Sequence, residues 1–170
     1  MKYFFLLLLP IFSLNAQSYV DWSNTKLTYE NFKKKPLQTK TPQGELDSRL
    51  GWQIAEADGE LPELYVYNRF DENNSWISMK HDEILKNMQL QFDLSELYAR
   101  KIRKEFEDLK KKKEIKKEIY KAKFNNLQKN FEKRLNSIAN VTVNQPSFYK
   151  ILNNEIQDSL NLYKSYEIKK

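Results

Sequence analysis

Residues Leu85 to Phe106 read LKNMQLQFDLSELYARKIRKEF, and how this stretch winds decides the fold. At about 100° per residue, Ile84, Leu94, Tyr98 and Ile102 gather on one side, with Leu85, Met88, Phe92 and Ala99 beside them. Lys86, Gln89, Asp93, Glu96, Arg100 and Lys104 share an opposite band that the pattern assigns to solvent, with Glu96 and Arg100 as an i,i+4 ion pair. Leu90 and Leu97 fall outside the main stripe, so the helix is covered over more of its circumference than a surface helix. It reads as the central helix of the fold. Asn87 and Gln91 lie within about 40° of each other on the side of Leu94 and Tyr98, and the same pattern turns them inward.

Working towards the N-terminus, LGWQIAEA (Leu50 to Ala57) and LYVYNRF (Leu64 to Phe70) alternate bulky and polar residues as half-buried strands do. Asp58-Gly59-Glu60 between them is turn chemistry, and the two read as a hairpin. Ser75-Trp76-Ile77 begins another extended piece, while LTYENF (Leu27 to Phe32) opens either a strand or a short helical turn. The segment KKKPLQTKTPQG carries two prolines and a glycine and reads as a loop. Residues 1–16, MKYFFLLLLPIFSLNA, have one Lys, an apolar run and a small residue at Ala16, the plan of a secretory signal peptide. The expectation is a secreted protein, periplasmic or extracellular, with no transmembrane span in its mature form.

Towards the C-terminus, Lys110 to Lys123 is strongly charged, with Ile115, Ile119 and Tyr120 continuing a thin apolar seam. Phe124, Leu127, Phe131, Leu135 and Ile138 then recur at helical spacing. N-V-T-V-N-Q-P at 140–146 is expected to interrupt the helix, and Phe148 to Tyr166 to form a last one. The fold class that follows is α+β: a small, mainly antiparallel sheet packed on a central helix, with a helical C-terminal extension. Residues 17–139 are assigned to the main body and 140–170 to a C-terminal helical segment of the same domain.

Composition removes several chemistries. The chain has 170 residues, 29 Lys and Arg against 23 Asp and Glu, one His and no Cys. No disulfide is available, and three isolated glycines cannot build a phosphate-cradling loop. The positive surplus fits anionic lipid or polysaccharide better than nucleic acid for an exported protein. Lys110, Lys111, Lys112, Lys113, Lys116 and Lys117 are the candidate contacts to such a surface, although a run interspersed with Glu114 and Glu118 also reads as a solvated helix face. His81, near Ser75, Ser78 and Asp82, is the only imidazole for acid–base work, and nothing like a nucleophile turn surrounds those serines.

Asn87, Met88 and Gln91 have the spacing of an H-E-x-x-H zinc site, in which two His ligate the metal and the Glu takes a proton from its bound water. The wider region resembles the domain of unknown function 922 family of predicted secreted zinc-dependent proteases. YNRFDENNSWIS followed by LKNMQLQFDLSELYARKIRK is similar to that family's F-D-x-x-x-S-W-V and L-L-x-H-E-Q-x-H-F-D-I-x-E-x-x-A-R-x-L-R. KLTYENFKKKP (Lys26 to Pro36) is similar to its L-T-W-x-D-F-K-G-x-P. Carried across, the resemblance puts the first ligand at Asn87, the general base at Met88 and the second ligand at Gln91, so the scaffold is kept and the reactive groups are lost. Gln89, Phe92, Asp93, Glu96, Ala99 and Arg100 keep the family's residue.

The resemblance therefore implies a catalytically inactive relative, without metal or cofactor, that acts as a binding or structural module of the cell envelope. Its partner would be an envelope protein or peptide, and the two amides would bond each other or backbone in the space once held by metal. Two alternatives stand beside it: a metal-dependent hydrolase with a rearranged site built from His81 and carboxylates, and an adaptor in which the lysine-rich helices do the work.

Overall fold

A computed structural model describes residues 18–23, 26–36, 38, 40, 41, 43–144 and 146–168. The signal-peptide assignment at 1–16 lies outside the described residues. The chain is an α+β fold with C-terminal helices: strands β1 (Tyr19–Asp21), β2 (Gly44–Glu45), β3 (Ser48–Ala55), β4 (Glu63–Asp71) and β5 (Trp76–Ile77) precede helices α1 (Asp82–Lys111), α2 (Lys117–Asn144) and α3 (Pro146–Leu162). LTYENF resolves into a short 3-10 turn at Tyr29–Asn31.

β3 and β4 form the expected hairpin, paired antiparallel from Ser48↔Phe70 to Ala55↔Glu63. Its turn is closed by Glu60 N–H donating to the Ala57 carbonyl at 3.1 Å, and Gly59 supplies the positive φ of 76° there. β1 adds to the other edge of β4, giving the order β1-β4-β3, and β2 pairs β5 in a separate ribbon. The strand alternation turns Val66 and Phe70 inward, and Tyr65, half-exposed, outward. After β4 the chain turns on Asp71, whose carboxylate accepts from Asn73 N–H and Asn74 Nδ2, both at 2.9 Å.

α1 is about 45 Å long at 1.5 Å per residue and is the hub against which everything packs. Phe92, Phe70, Met88 and Leu27 form one apolar cluster under the N-terminal segment. Ala99, Ile102, Phe106, Val66 and Tyr120 form a second between sheet, α1 and α2. Leu90, Leu94 and Leu97 meet Phe131, Ile138, Ile156 and Leu160 in a third, between the helices. Trp52 lies edge-on to Phe106, centroids 5.3 Å apart, and Trp76 is buried, so both act as core anchors.

Two sequence expectations are corrected. Residues 140–144 continue α2 rather than interrupting it, and α3 opens at Pro146. Asn and β-branched residues each cost only a few tenths of a kcal/mol in a helix, and proline is tolerated at a first helical position. The lysine-rich stretch, in turn, is not one helix. α1 ends in a Schellman motif: Glu114 N–H donates to Leu109 O at 3.0 Å and Lys113 N–H to Lys110 O at 2.9 Å. Lys113 takes the left-handed conformation, φ 58°, and α2 folds back on α1.

Candidate functional site

The three positions of the zinc-site spacing do not converge. Asn87 and Gln91 are half-buried rather than interior, and neither side chain hydrogen-bonds a described residue, so the expected pairing of the two amides is not made. Met88, at the general-base position, is buried at 5% exposure among Leu27, Phe70 and Phe92. A Cβ on Gly44 would stand 2.7 Å from Met88 Cε, so the thioether packs against bare backbone. That position belongs to the apolar core and not to a cleft.

The middle of the band assigned to solvent is buried, while Lys86 and Lys104 at its ends are not. Gln89, Asp93, Glu96 and Arg100 are each at most 8% exposed, and with Arg103 they form a polar seam at spacings of four and three along one face of α1. At its N-terminal end both oxygens of the fully buried Asp93 carboxylate are occupied. Oδ1 accepts from Trp22 Nε1 at 2.8 Å and Gln89 Nε2 at 2.7 Å. Oδ2 accepts from Gln157 Nε2 at 2.8 Å and from Lys26 Nζ at 3.3 Å. Gln89 Oε1 in turn takes the backbone N–H of Leu27 at 2.7 Å.

The C-terminal end is a charge network. Glu96 Oε1 accepts from Arg100 Nε at 3.1 Å and Arg103 Nη1 at 2.9 Å. Arg100 also donates to Leu160 O at 2.8 Å and pairs with Glu167 at 3.0 Å. Arg103 reaches Val66 O and Tyr166 O. Ser95 and Asn68, both buried, bond each other at 2.8 Å beneath it. Asp93, Glu96 and Glu167 thus face Lys26, Arg100 and Arg103, acids and bases balanced, which is what makes so polar a seam tolerable out of water. The Glu96–Arg100 pair expected from the sequence is present, but inside the molecule.

Above Gln89 the seam opens into a pocket of about 480 Å³, within the range of ligand sites. Its polar lining is three carboxamides, Gln89, Asn153 and Gln157, and its apolar lining is Leu27, Leu85 and Tyr149, with Lys26 and Lys86 at the side. Burial, then the negative field of Asp93, pushes the Tyr149 hydroxyl above its ordinary pKa, so it meets a ligand as a neutral phenol. Asn87 and Gln91 do not line this pocket; Gln91 points about 200° around the helix from Gln89.

The remaining candidates are scattered. His81 is exposed at the N-cap of α1. Ser75 is fully buried, its hydroxyl donating to Asp71 O at 2.7 Å and accepting from Asp47 N–H at 3.0 Å, so it is a structural tie. No group of three His, Cys, Asp or Glu among the described residues is placed to hold a metal ion, and no helix among them is long and apolar enough to cross a membrane. Lys110, Lys111, Lys112, Lys113, Lys116 and Lys117 gather around the turn between α1 and α2. Lys111 pairs with Glu107 at 2.5 Å and Lys117 with Glu56 at 3.2 Å.

No family model matches the chain, and neither a curated protein nor a solved structure is similar to it. Sequence periodicity missed Gln89, Asp93, Glu96 and Arg100, because polar residues repeating along one helix face ordinarily mark its solvent side.

Proposed function

We propose that the chain is an exported, non-catalytic binding module of the bacterial cell envelope, built on the scaffold of secreted zinc proteases, and that its pocket between α1 and α3 takes an extended peptide segment. The observation that carries this reading is the placement of Met88. Where a zinc protease needs a carboxylate facing bound water, this chain has a thioether sealed into apolar packing. Asp93, the acid nearest the pocket, has both oxygens engaged by donors of the protein itself, leaving little capacity to take a proton from substrate.

The pocket lining supports a peptide. Carboxamides of Gln89, Asn153 and Gln157 can donate to and accept from a peptide backbone, while Leu27, Leu85 and Tyr149 cover apolar side chains. The lysines around the turn after α1 supply a positive end that fits an anionic lipid or polysaccharide surface.

The test is a binding titration of the purified chain with a fluorescein-labelled unfolded polypeptide, beside Asn153→Trp, which fills the pocket without touching the Asp93 clamp. The expected result is saturable binding that falls at least tenfold in the variant, with the bound polypeptide uncut. Chelator-sensitive cleavage of the polypeptide, or binding indifferent to Asn153→Trp, overturns the proposal.

A further inference from the structure

The outer face of the sheet carries an arrangement that the pocket does not use. Arg49 and Arg69 are direct cross-strand partners on β3 and β4. Like charges in that relation repel, yet both guanidinium groups are drawn over one ring, that of Tyr19, at 4.1 Å for Arg69 and 5.3 Å for Arg49. Tyr67 closes on Arg69 from the other side, 4.4 Å from its ring centre. Arg69 is therefore sandwiched between two aromatic faces.

Gly51 makes the sandwich possible. A Cβ there would lie 2.4 Å from Tyr67 Cζ and Oη, so the ring rests flat across the bare backbone of β3. Tyr65, half-exposed, continues the aromatic surface 6.2 Å further along β4.

The two arginines differ in what they are given. Arg49 donates to Tyr19 Oη at 2.7 Å and to Asp47 at 3.1 Å. Arg69 makes no hydrogen bond and no ion pair with any described residue, and its Nε is buried without a partner. Asp21, its register partner on β1, is exposed and not bonded to it; Asp71 is spent on its own turn. A guanidinium has five donors in a planar fork that matches a carboxylate. Here Nε is buried, and the two Nη groups, held in place by stacking, are the donors left for a carboxylate next to a second positive charge.

We infer that this face is a docking surface for an acidic protein segment, whose Asp or Glu carboxylate is taken by Arg69 with help from Arg49 while Tyr65 and Tyr67 cover its neighbours. The side chains are spread over three adjacent strands, which suits an extended protein segment better than a small molecule held in a concave pocket. Tyr and Arg are also the residues that dominate the energetics of protein interfaces. A second copy meeting the same face about a two-fold axis would bring four arginines together, so the partner is a different, acidic chain. The inference stands apart from the peptide pocket, which lies against α1 and α3.

The experiment is a titration of the full chain with a capped tetraglutamate peptide, followed through the Arg Nε–Hε resonances. The Arg69 and Arg49 signals are expected to move saturably at millimolar peptide, and Arg69→Lys to weaken binding about tenfold, the loss of one charge-assisted hydrogen bond, although charge is kept. Arg49→Lys gives the same direction if Arg69→Lys does not fold. A Lys129→Gln control, an exposed lysine of α2, should leave the affinity unchanged. Unmoved arginine signals, parental affinity in both lysine variants, or tighter binding of trigalacturonate than of the peptide each overturn the assignment, the last in favour of an acidic glycan.

Discussion

Replacing Asp93 by Ala tests whether the seam, rather than the zinc-site spacing, organises this molecule. The carboxylate is fully buried and satisfies four donors, of which Lys26 is 64% exposed and rehydrates when the acid is lost. Gln157 lines the open pocket and recovers water in part. Gln89, in the lining of the same pocket, does so in part as well, whereas Trp22 Nε1 is left unpaired, and an unpaired buried donor costs about 1–3 kcal/mol. With the cavity left by the side chain and the hydrogen bonds to a charged acceptor that Gln89 and Gln157 lose, worth up to about 1.5–3 kcal/mol each, the expected loss is about 3–5 kcal/mol. Against a total of roughly 5–15 kcal/mol that is a large fraction. Urea unfolding of the purified chain reads it as a fall in midpoint of about 2 M at unchanged slope. The comparison is Asn87→Ala with Gln91→Ala, half-exposed and unbonded, expected within about 0.5 kcal/mol of the parent each. If Asp93→Ala stays within 1 kcal/mol, or the two amide variants cost as much as it does, the assignment of the seam as the organising feature is wrong.

Three other outcomes follow from particular contacts. Lys113→Gly should raise stability by about 1 kcal/mol in the same assay, because glycine removes the steric penalty of the left-handed position in the Schellman turn; a loss would show that the turn is not formed. Met88→Glu should cost about 3 kcal/mol or more by placing a carboxylate in an apolar cluster, while Asn87→His with Gln91→His should fold normally; thermal unfolding separates the two. At Glu72, burial opposes ionisation, but hydrogen bonds from Lys33, Asn31 and Ser18 outweigh it and hold the carboxyl below its ordinary 4.5. A depressed carboxylate stabilises the fold above the unfolded pKa, and this contribution is lost as pH falls through the folded one. Glu72→Gln should therefore flatten the decline of stability below about pH 4.5, and an unaltered acid limb of the stability–pH curve counts against the ion pair.

The hairpin and the central helix were legible because each rests on a local rule. Leu50, Trp52, Leu64 and Val66 alternate with outward residues, Asp58-Gly59 turns the chain, and α1 keeps an apolar stripe through Phe106. The seam was not legible from periodicity, since Gln89, Asp93, Glu96 and Arg100 are the types that normally face water. What buries them is supplied from far away: Trp22 and Lys26 between β1 and β2, Leu160 and Glu167 after two long helices. Leu90 and Leu97, apolar on the flank of that band, were the local trace of the cover. The expectation that Asn87 and Gln91 are interior and bonded to each other failed for the converse reason. Spacing places two side chains on one face but leaves open which face the rest of the chain covers. The lysine run misled as a continuous helix because a Schellman turn usually announces itself with glycine, and here Lys113 takes that role.

The clamp on Asp93 is assembled from both flanks of the chain, with Trp22 on one oxygen and Gln157 on the other. A nascent polypeptide emerging only as far as α2 would have its hairpin and long helices ready while a wet, charged furrow still ran down their middle. Docking of α3 is then what dries the furrow, because Gln157 and the Leu160 carbonyl, which close on Asp93 and Arg100, arrive with it.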